Sequence, residues 1–193
     1  RSSSGDLWLS NPRKQTTRPD PSNQAPCSSS EKETQVTMRI HIATDHAGLD
    51  LSHFLIEELT NDGHDVFDHG PTEYDPLDDY PSFCINAALA VISDREAEVE
   101  ALGIVLGGSG NGEQIAANKV RGIRAALAWN LDTARLARQH NNANVIAVGA
   151  RQHSQEEVLE LIRAFIAEPF SEDERHIRRI GKIQAYEQTG DIL

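Results

Sequence analysis

With 193 residues, 38% of them apolar, and a formal net charge of −12, the chain has room for one ordinary domain with a lean core. Two cysteines, Cys27 and Cys84, make neither a disulfide framework nor a zinc site. No apolar run reaches the ~20 residues that span a bilayer, so a soluble, cytoplasmic protein with no membrane partner is expected.

Residues 1–37 are rich in Ser, Thr, Pro, Asn and Gln and hold only six apolar residues, without period. Such a stretch cannot bury enough surface to offset its ordering entropy, which predicts a disordered N-terminal tail (1–37) before a single domain (38–193). The tail carries five basic and four acidic residues, leaving 13 basic against 26 acidic in the domain. A body that acidic excludes non-specific nucleic-acid binding, although a small phosphate ester can still sit at a local arginine cluster.

From Met38 the sequence alternates short apolar runs with helical patterns. MRIHIAT (38–44) reads as a strand, and 47–60 as an amphipathic helix with Leu51, Leu55, Ile56 and Leu59 on one face. HDVFDHG (64–70) is a second strand. The polar loop PTEYDPLDDYP leads into a helix carrying Ile85, Ala88, Leu89 and Ile92. ALGIVLGG (101–108) is a buried strand, followed by a helix over 112–119, a strand IRAALAW (123–129) and a helix over 131–140. ANVIAVGA (143–150) is the fifth strand. Ser154 with Glu157, and Ser171 with Glu174, match capping boxes that open two last helices. Strands separated by helices imply right-handed crossovers. The expected fold is α/β, a three-layer sandwich with a five-stranded parallel Rossmann-like sheet and an additional C-terminal helix.

Ligands in such sheets sit beyond the carboxyl ends of the strands, where Asp45, His46, a glycine loop and Arg151 all fall. The loop GGSGNGE (107–113) joins a buried strand to a helix start. Its four glycines, Gly107, Gly108, Gly110 and Gly112, let the backbone turn tightly, and N–H groups through Asn111 and Gly112 can hold an anion, either a phosphate or an enediolate oxygen. It has no G-x-G-x-x-G register, and Glu113 stands where a P-loop carries lysine. A plain strand-to-helix turn remains the alternative. Glu113 reads either as a general base beside that cradle or as an ordinary first-turn carboxylate. Asp45 and His46 read as site groups or as an N-cap and a surface histidine. His140 and Asn141 read equally as helix-end caps. Arg175 and Arg179, four apart, share one helix face and can converge on one phosphate, or form a solvated charged face with Glu172 and Glu174. Cys84 reads as a small buried hydrophobe.

Over residues 38–186 the chain resembles ribose-5-phosphate isomerase B and its sister galactose- and allose-6-phosphate isomerases. The resemblance is carried by ATDHAG (43–48), DDYPSFC (78–84), GIVLGGSGNGEQIAANKVRGIRAALAW (103–129), ARQHNNANVIAVGAR (137–151) and ERHIRRI (174–180). It implies an aldose–ketose isomerase that needs neither metal nor cofactor and works on a small sugar phosphate. Asp45 and His46 would contact sugar hydroxyls, His140 would help open the furanose, and Asn141 would bind the open chain. Arg151, Arg175 and Arg179 would grip the phosphate. It further implies a homodimer whose sites are shared between subunits. Many relatives carry a cysteine base in a CGTG loop where this chain has Gly107. The chain resembles the subgroup with a glutamate base, here Glu113, and places Ser109 beside the enediolate. The proton would move between C1 and C2 through a cis-enediolate, with ribose 5-phosphate as the expected substrate and a four- or six-carbon phosphate as the alternative. Two other classes make different demands on the sequence. A nucleotide-dependent oxidoreductase would need a dinucleotide fingerprint where the sequence reads ATDHAG, and a non-catalytic sugar-phosphate sensor would keep the arginines without needing Glu113.

Overall fold

The computed structural model describes residues 37–192; the expected N-terminal tail, apart from Thr37, lies outside the described residues, as does Cys27. Five strands form one parallel sheet: β1 (Arg39–Thr44), β2 (Asp65–Asp68), β3 (Ala101–Gly107), β4 (Ala125–Leu127) and β5 (Val145–Gly149). Their order is β2-β1-β3-β5-β4. The chain leaves β1 toward one edge and returns at β3 toward the other, so the topological switch point falls between the carboxyl ends of β1 and β3.

Period-two alternation divides the strand side chains between two helical layers. Ile40, Ile42, Leu102, Ile104, Leu106, Ile146 and Val148 face the core under α1 (Leu49–Asn61), α4 (Leu131–Asn141) and α5 (Gln155–Ala167). Ala43, Val105, Val145 and Ala147 face the core under α2 (Tyr80–Glu96) and α3 (Asn111–Ala117). The second layer is built from small residues, among them Ala87, Ala88, Ala116 and Ala117, which lets α2 and α3 approach the sheet closely. Of the apolar residues that the sequence places on α2, Ala88 is buried and Leu89 is exposed; Cys84, Ala87 and Val91 complete the buried face.

The expected α/β sandwich forms, with shorter strands at its edge: β4 keeps three residues of the seven in IRAALAW. The expected capping box closes α5, where Ser154 Oγ accepts from Glu157 N and Glu157 Oε2 accepts from Ser154 N. The second box does not form. The N-cap of α6 (Glu174–Thr189) is Asp173, while Ser171 N donates to the Gln139 carbonyl and its hydroxyl accepts from Asp173 N. Ser171 is thus spent on anchoring the α5–α6 connection to the end of α4. From there α6 runs to the start of β4, where the Glu187 carboxylate accepts from Gly122 N at 3.2 Å.

Candidate active site

The cradle is built where β1 and β3 end. After β1 the chain turns through a 3-10 helix, His46–Gly48, capped by Asp45, whose Oδ1 accepts from Ala47 N at 2.9 Å. Asp45 is therefore the N-cap that one reading expected, and it is also buried at 7% exposure beside the cleft. His46 is not a free surface histidine. Asp78 Oδ1 accepts from His46 Nδ1 at 2.6 Å and from the His46 backbone N at 3.1 Å. That pairing puts a proton on Nδ1 and leaves Nε2 without a part in the Asp78 contact. Asp78 Oδ2 is buried and makes no hydrogen bond among the described residues. Asp45, His46 and Asp78 offer atoms within 4.8 Å of one another and form the one group of possible metal ligands among the described residues.

After β3, Gly110 adopts φ +78° at the N-cap of α3. A Cβ there would stand 2.9 Å from the Val148 carbonyl carbon and 2.7 Å from Leu127, so both the torsion and the space require glycine. Gly112 lies under the Tyr80 ring, whose hydroxyl oxygen would be 2.5 Å from a Cβ. Ser109 Oγ accepts from Asn111 N and Nδ2 at 3.4 and 3.3 Å, leaving its own proton available to donate. A cavity of about 360 Å³ lies against Ser109, Asn111, Gly149 and Trp129.

Glu113 sits in the first turn of α3 and is 5% exposed. Its carboxylate occupies the space a side chain on Gly107 would need: a Cβ there would stand 2.8 Å from Oε2 and overlap Oε1 and Cδ. Burial raises the pKa of Glu113, its own backbone N–H works against that, and the nearby Asp45 charge adds to the rise. The neighbouring thiol, Cys84, is fully buried and pushed up to about 12, by burial first and then by Glu113 and Asp45. It stays protonated at neutral pH and is no nucleophile or base. Arg151, after β5, donates its backbone N–H to the Gly108 carbonyl and lays its guanidinium over Gly108.

The remaining expected residues stand elsewhere. His140 and Asn141 end α4, which runs back toward the amino ends of the strands. Asn142 caps it with φ +43°. Arg124, just before β4, donates from Nε to the Asn141 carbonyl and from its NH2 group to the Asn142 carbonyl, at 2.9 and 2.7 Å. The Asn144 carbonyl accepts from Gly103 N near the start of β3. Arg175 and Arg179, on α6, share this edge through His176, whose ring stacks on His140 with centroids 4.3 Å apart and planes 11° apart. Seven residues of β3 separate the two edges by roughly 20 Å. Within one chain, Asp45, His46, Ser109, Glu113 and Arg151 gather at the carboxyl edge, and His140, Asn141, Arg175 and Arg179 at the amino edge. Arg151 thus stands at the opposite edge from Arg175 and Arg179 within one chain, as the expectation of a site shared between subunits allows.

Sequence reasoning gave no role to Asp78, Tyr80 or His176. All three lie in the DDYPSFC and ERHIRRI motifs, but their partners, His46, Gly112 and His140, are 32 to 36 positions away and only folding brings them together.

Residues 40–183 match the family model described as Ribose/Galactose Isomerase. The chain is 51% identical over 152 residues to ribose-5-phosphate isomerase B of Mycobacterium leprae, covering 79% of this chain and 91% of that one. Among solved structures it is similar to ribose-5-phosphate isomerase B of Mycoplasma genitalium with bound ribulose-5-phosphate, at 40% identity and a TM-score of 0.74, covering 79% of this chain and 97% of the other. The type B enzyme of Trypanosoma cruzi is similar at 40% identity and a TM-score of 0.73, covering 81% and 100%. No helix among the described residues is long and apolar enough to cross a membrane.

Proposed function

The chain belongs to the ribose/galactose isomerase family, and from that premise we propose that it interconverts ribose 5-phosphate and ribulose 5-phosphate with Glu113 as the base. The observation that carries the assignment is the Glu113 carboxylate, buried and seated in the space a side chain on Gly107 would fill. In the relatives whose loop reads CGTG, a cysteine stands at that position. Here the glutamate occupies that space, and the one thiol among the described residues, Cys84, is held protonated.

The reaction follows from the groups at hand. The ionised Glu113 takes a proton from the carbon beside the carbonyl and returns it to the neighbouring carbon. A raised carboxyl pKa makes it a stronger base for that weak carbon acid. The enediolate oxygens meet the Ser109 hydroxyl and the loop N–H groups around Gly110 and Gly112, where one well-placed donor contributes on the order of 3–4 kcal/mol. Asp45 and His46 bind sugar hydroxyls, His46 through the Nε2 edge that Asp78 does not engage.

The other half of the site comes from a second copy. His140, which opens the furanose, Asn141, which holds the open chain, and the phosphate-binding Arg175 and Arg179 stand at the opposite edge, farther from Glu113 than a five-carbon phosphate reaches. Dimerisation joins the carboxyl edge of one chain to the amino edge of its partner and brings Arg151 toward the arginines of α6. Exposed Ile177, Ile183 and Tyr186 on α6 offer an apolar surface for that contact.

Subunit mixing tests the arrangement. Glu113→Gln and Arg179→Ala each cripple one half. In mixed dimers one of the two sites recovers both intact halves, so an equal mixture after subunit exchange should regain about a quarter of wild-type activity. A mixture no more active than its parents overturns the shared site. A wild-type protein that forms no ribulose 5-phosphate from ribose 5-phosphate overturns the activity.

A further inference from the structure

His176 stands outside every role assigned above, although the structure makes it one of the few buried polar residues, at 4% exposure. It lies on the first turns of α6 between two groups of the amino-edge half-site. One face of its ring lies on His140, nearly parallel, at 4.3 Å. At its edge, Arg175 Nε donates to His176 Nε2 at 3.2 Å. A guanidinium can only donate, so Nε2 is an acceptor, the proton is on Nδ1 and the ring is neutral. Asp173 Oδ2, 3.7 Å from the same nitrogen, would pair only with a proton on Nε2, and the closer arginine contact decides between them. The neutral state agrees with a lowered pKa, set by burial first and then by His140 and Arg175.

We propose that His176 is a positioning residue for ring opening: its ring fixes the plane of His140, and its Nε2 ties that plane to Arg175 of the phosphate clamp. The inference rests on the isomerase reading and on His140 acting on the furanose. A stacked neighbour constrains the tilt of an imidazole while leaving its edge nitrogens free, as a group that passes protons between sugar oxygens requires. Because Arg175 holds the same ring, engagement of the phosphate and orientation of His140 share one rigid connection. Misplacement of a catalytic group by about 1 Å can cost ~10²-fold in rate.

The test separates ring opening from proton transfer. Ribulose 5-phosphate cannot close to a furanose, since its O5 carries the phosphate, so exchange of its C1 hydrogen with deuterated water needs Glu113 but no ring opening. In full-length His176→Gln, which keeps an acceptor for Arg175 but loses the ring face, turnover of ribose 5-phosphate should fall roughly 10–100-fold while C1 exchange of ribulose 5-phosphate stays within about 3-fold of wild type. His176→Phe keeps the stack and loses the acceptor. It should retain most of the turnover and raise KM for ribose 5-phosphate by about 10-fold or more, as loss of one hydrogen bond to a charged group does. Equal loss of both reactions in His176→Gln marks a merely structural residue and overturns the proposal, as does unchanged turnover. Turnover lost in His176→Phe as fully as in His176→Gln overturns the stacking role. A wild-type enzyme without exchange or turnover would instead refute the isomerase reading.

Discussion

Gly107→Ala is the sharpest probe of how this site is built. The added methyl carbon enters space already filled by the Glu113 carboxylate, 2.8 Å from Oε2 and overlapping the nearer oxygen. Ordinary carbon–oxygen contact is about 3.5 Å, so the carboxylate has to retreat by roughly 1 Å or more. The backbone at residue 107 has no positive φ, so alanine costs nothing in torsion there. Glu113 is the far end of a side chain and can swing away, which predicts a folded protein with little change in Tm. A base displaced by that distance predicts kcat lower by about 10²-fold with KM within about 3-fold, read from ketose formation. The effect should vanish in the Glu113→Gln background, where alanine adds less than about 3-fold because the base is already gone. Full activity in Gly107→Ala, or losses that multiply in the double variant, would refute the view that this glycine exists to seat the carboxylate.

Three further outcomes are expected. Because Glu113 has a raised pKa, its favourable contribution to the fold is complete below the unfolded carboxyl pKa of about 4.3 and is lost as pH rises through the folded value. Glu113→Gln should therefore melt higher than wild type at neutral pH, with the gap closing on acidification, while turnover falls by about 10²–10⁴-fold; a lower Tm at neutral pH contradicts the burial argument. Cys84→Ser should keep turnover near wild type, since a thiol pushed up to about 12 does no proton transfer at neutral pH, and loss of turnover in a folded variant would return the base to cysteine. Arg175→Ala and Arg179→Ala should each raise KM for the phosphate ester by about 10–150-fold, the equivalent of 1.5–3 kcal/mol, and unchanged KM in both would leave α6 with a merely solvated charged face.

Much of the molecule is legible from local pattern. The runs RIHIAT, ALGIVLG and VIAVG are apolar on both faces, which is what a parallel strand covered by helices on both sides requires, and they form β1, β3 and β5. The Ser154–Glu157 capping box is a contact between residues three apart, so the sequence contains it whole, and the glycine loop with Glu113 after it is likewise contiguous. The same logic explains the misreadings. Ser171 matches the capping pattern as well as Ser154 does, but Gln139, 32 positions away, offers its carbonyl to the Ser171 N–H, and Asp173 caps the helix instead. Leu89 is apolar like its helix neighbours, yet the face of α2 that meets the sheet carries Cys84, Ala87, Ala88 and Val91, and Leu89 is exposed.

The amino-acid order contains the local pieces whole: Glu113 directly after a glycine loop, and Arg175 and Arg179 one helical turn apart. Their placement on the sheet follows from the packed fold. Strand direction sends residues after β1 and β3 to one edge of the sheet and the end of α4 to the other, so Glu113 and His140 part company. Folding also brings Asp78 to His46 and His176 to His140. Sequence spacing carries no sign of contacts between side chains more than 30 positions apart, because they depend on where the helices return, and that is a property of the packed sheet.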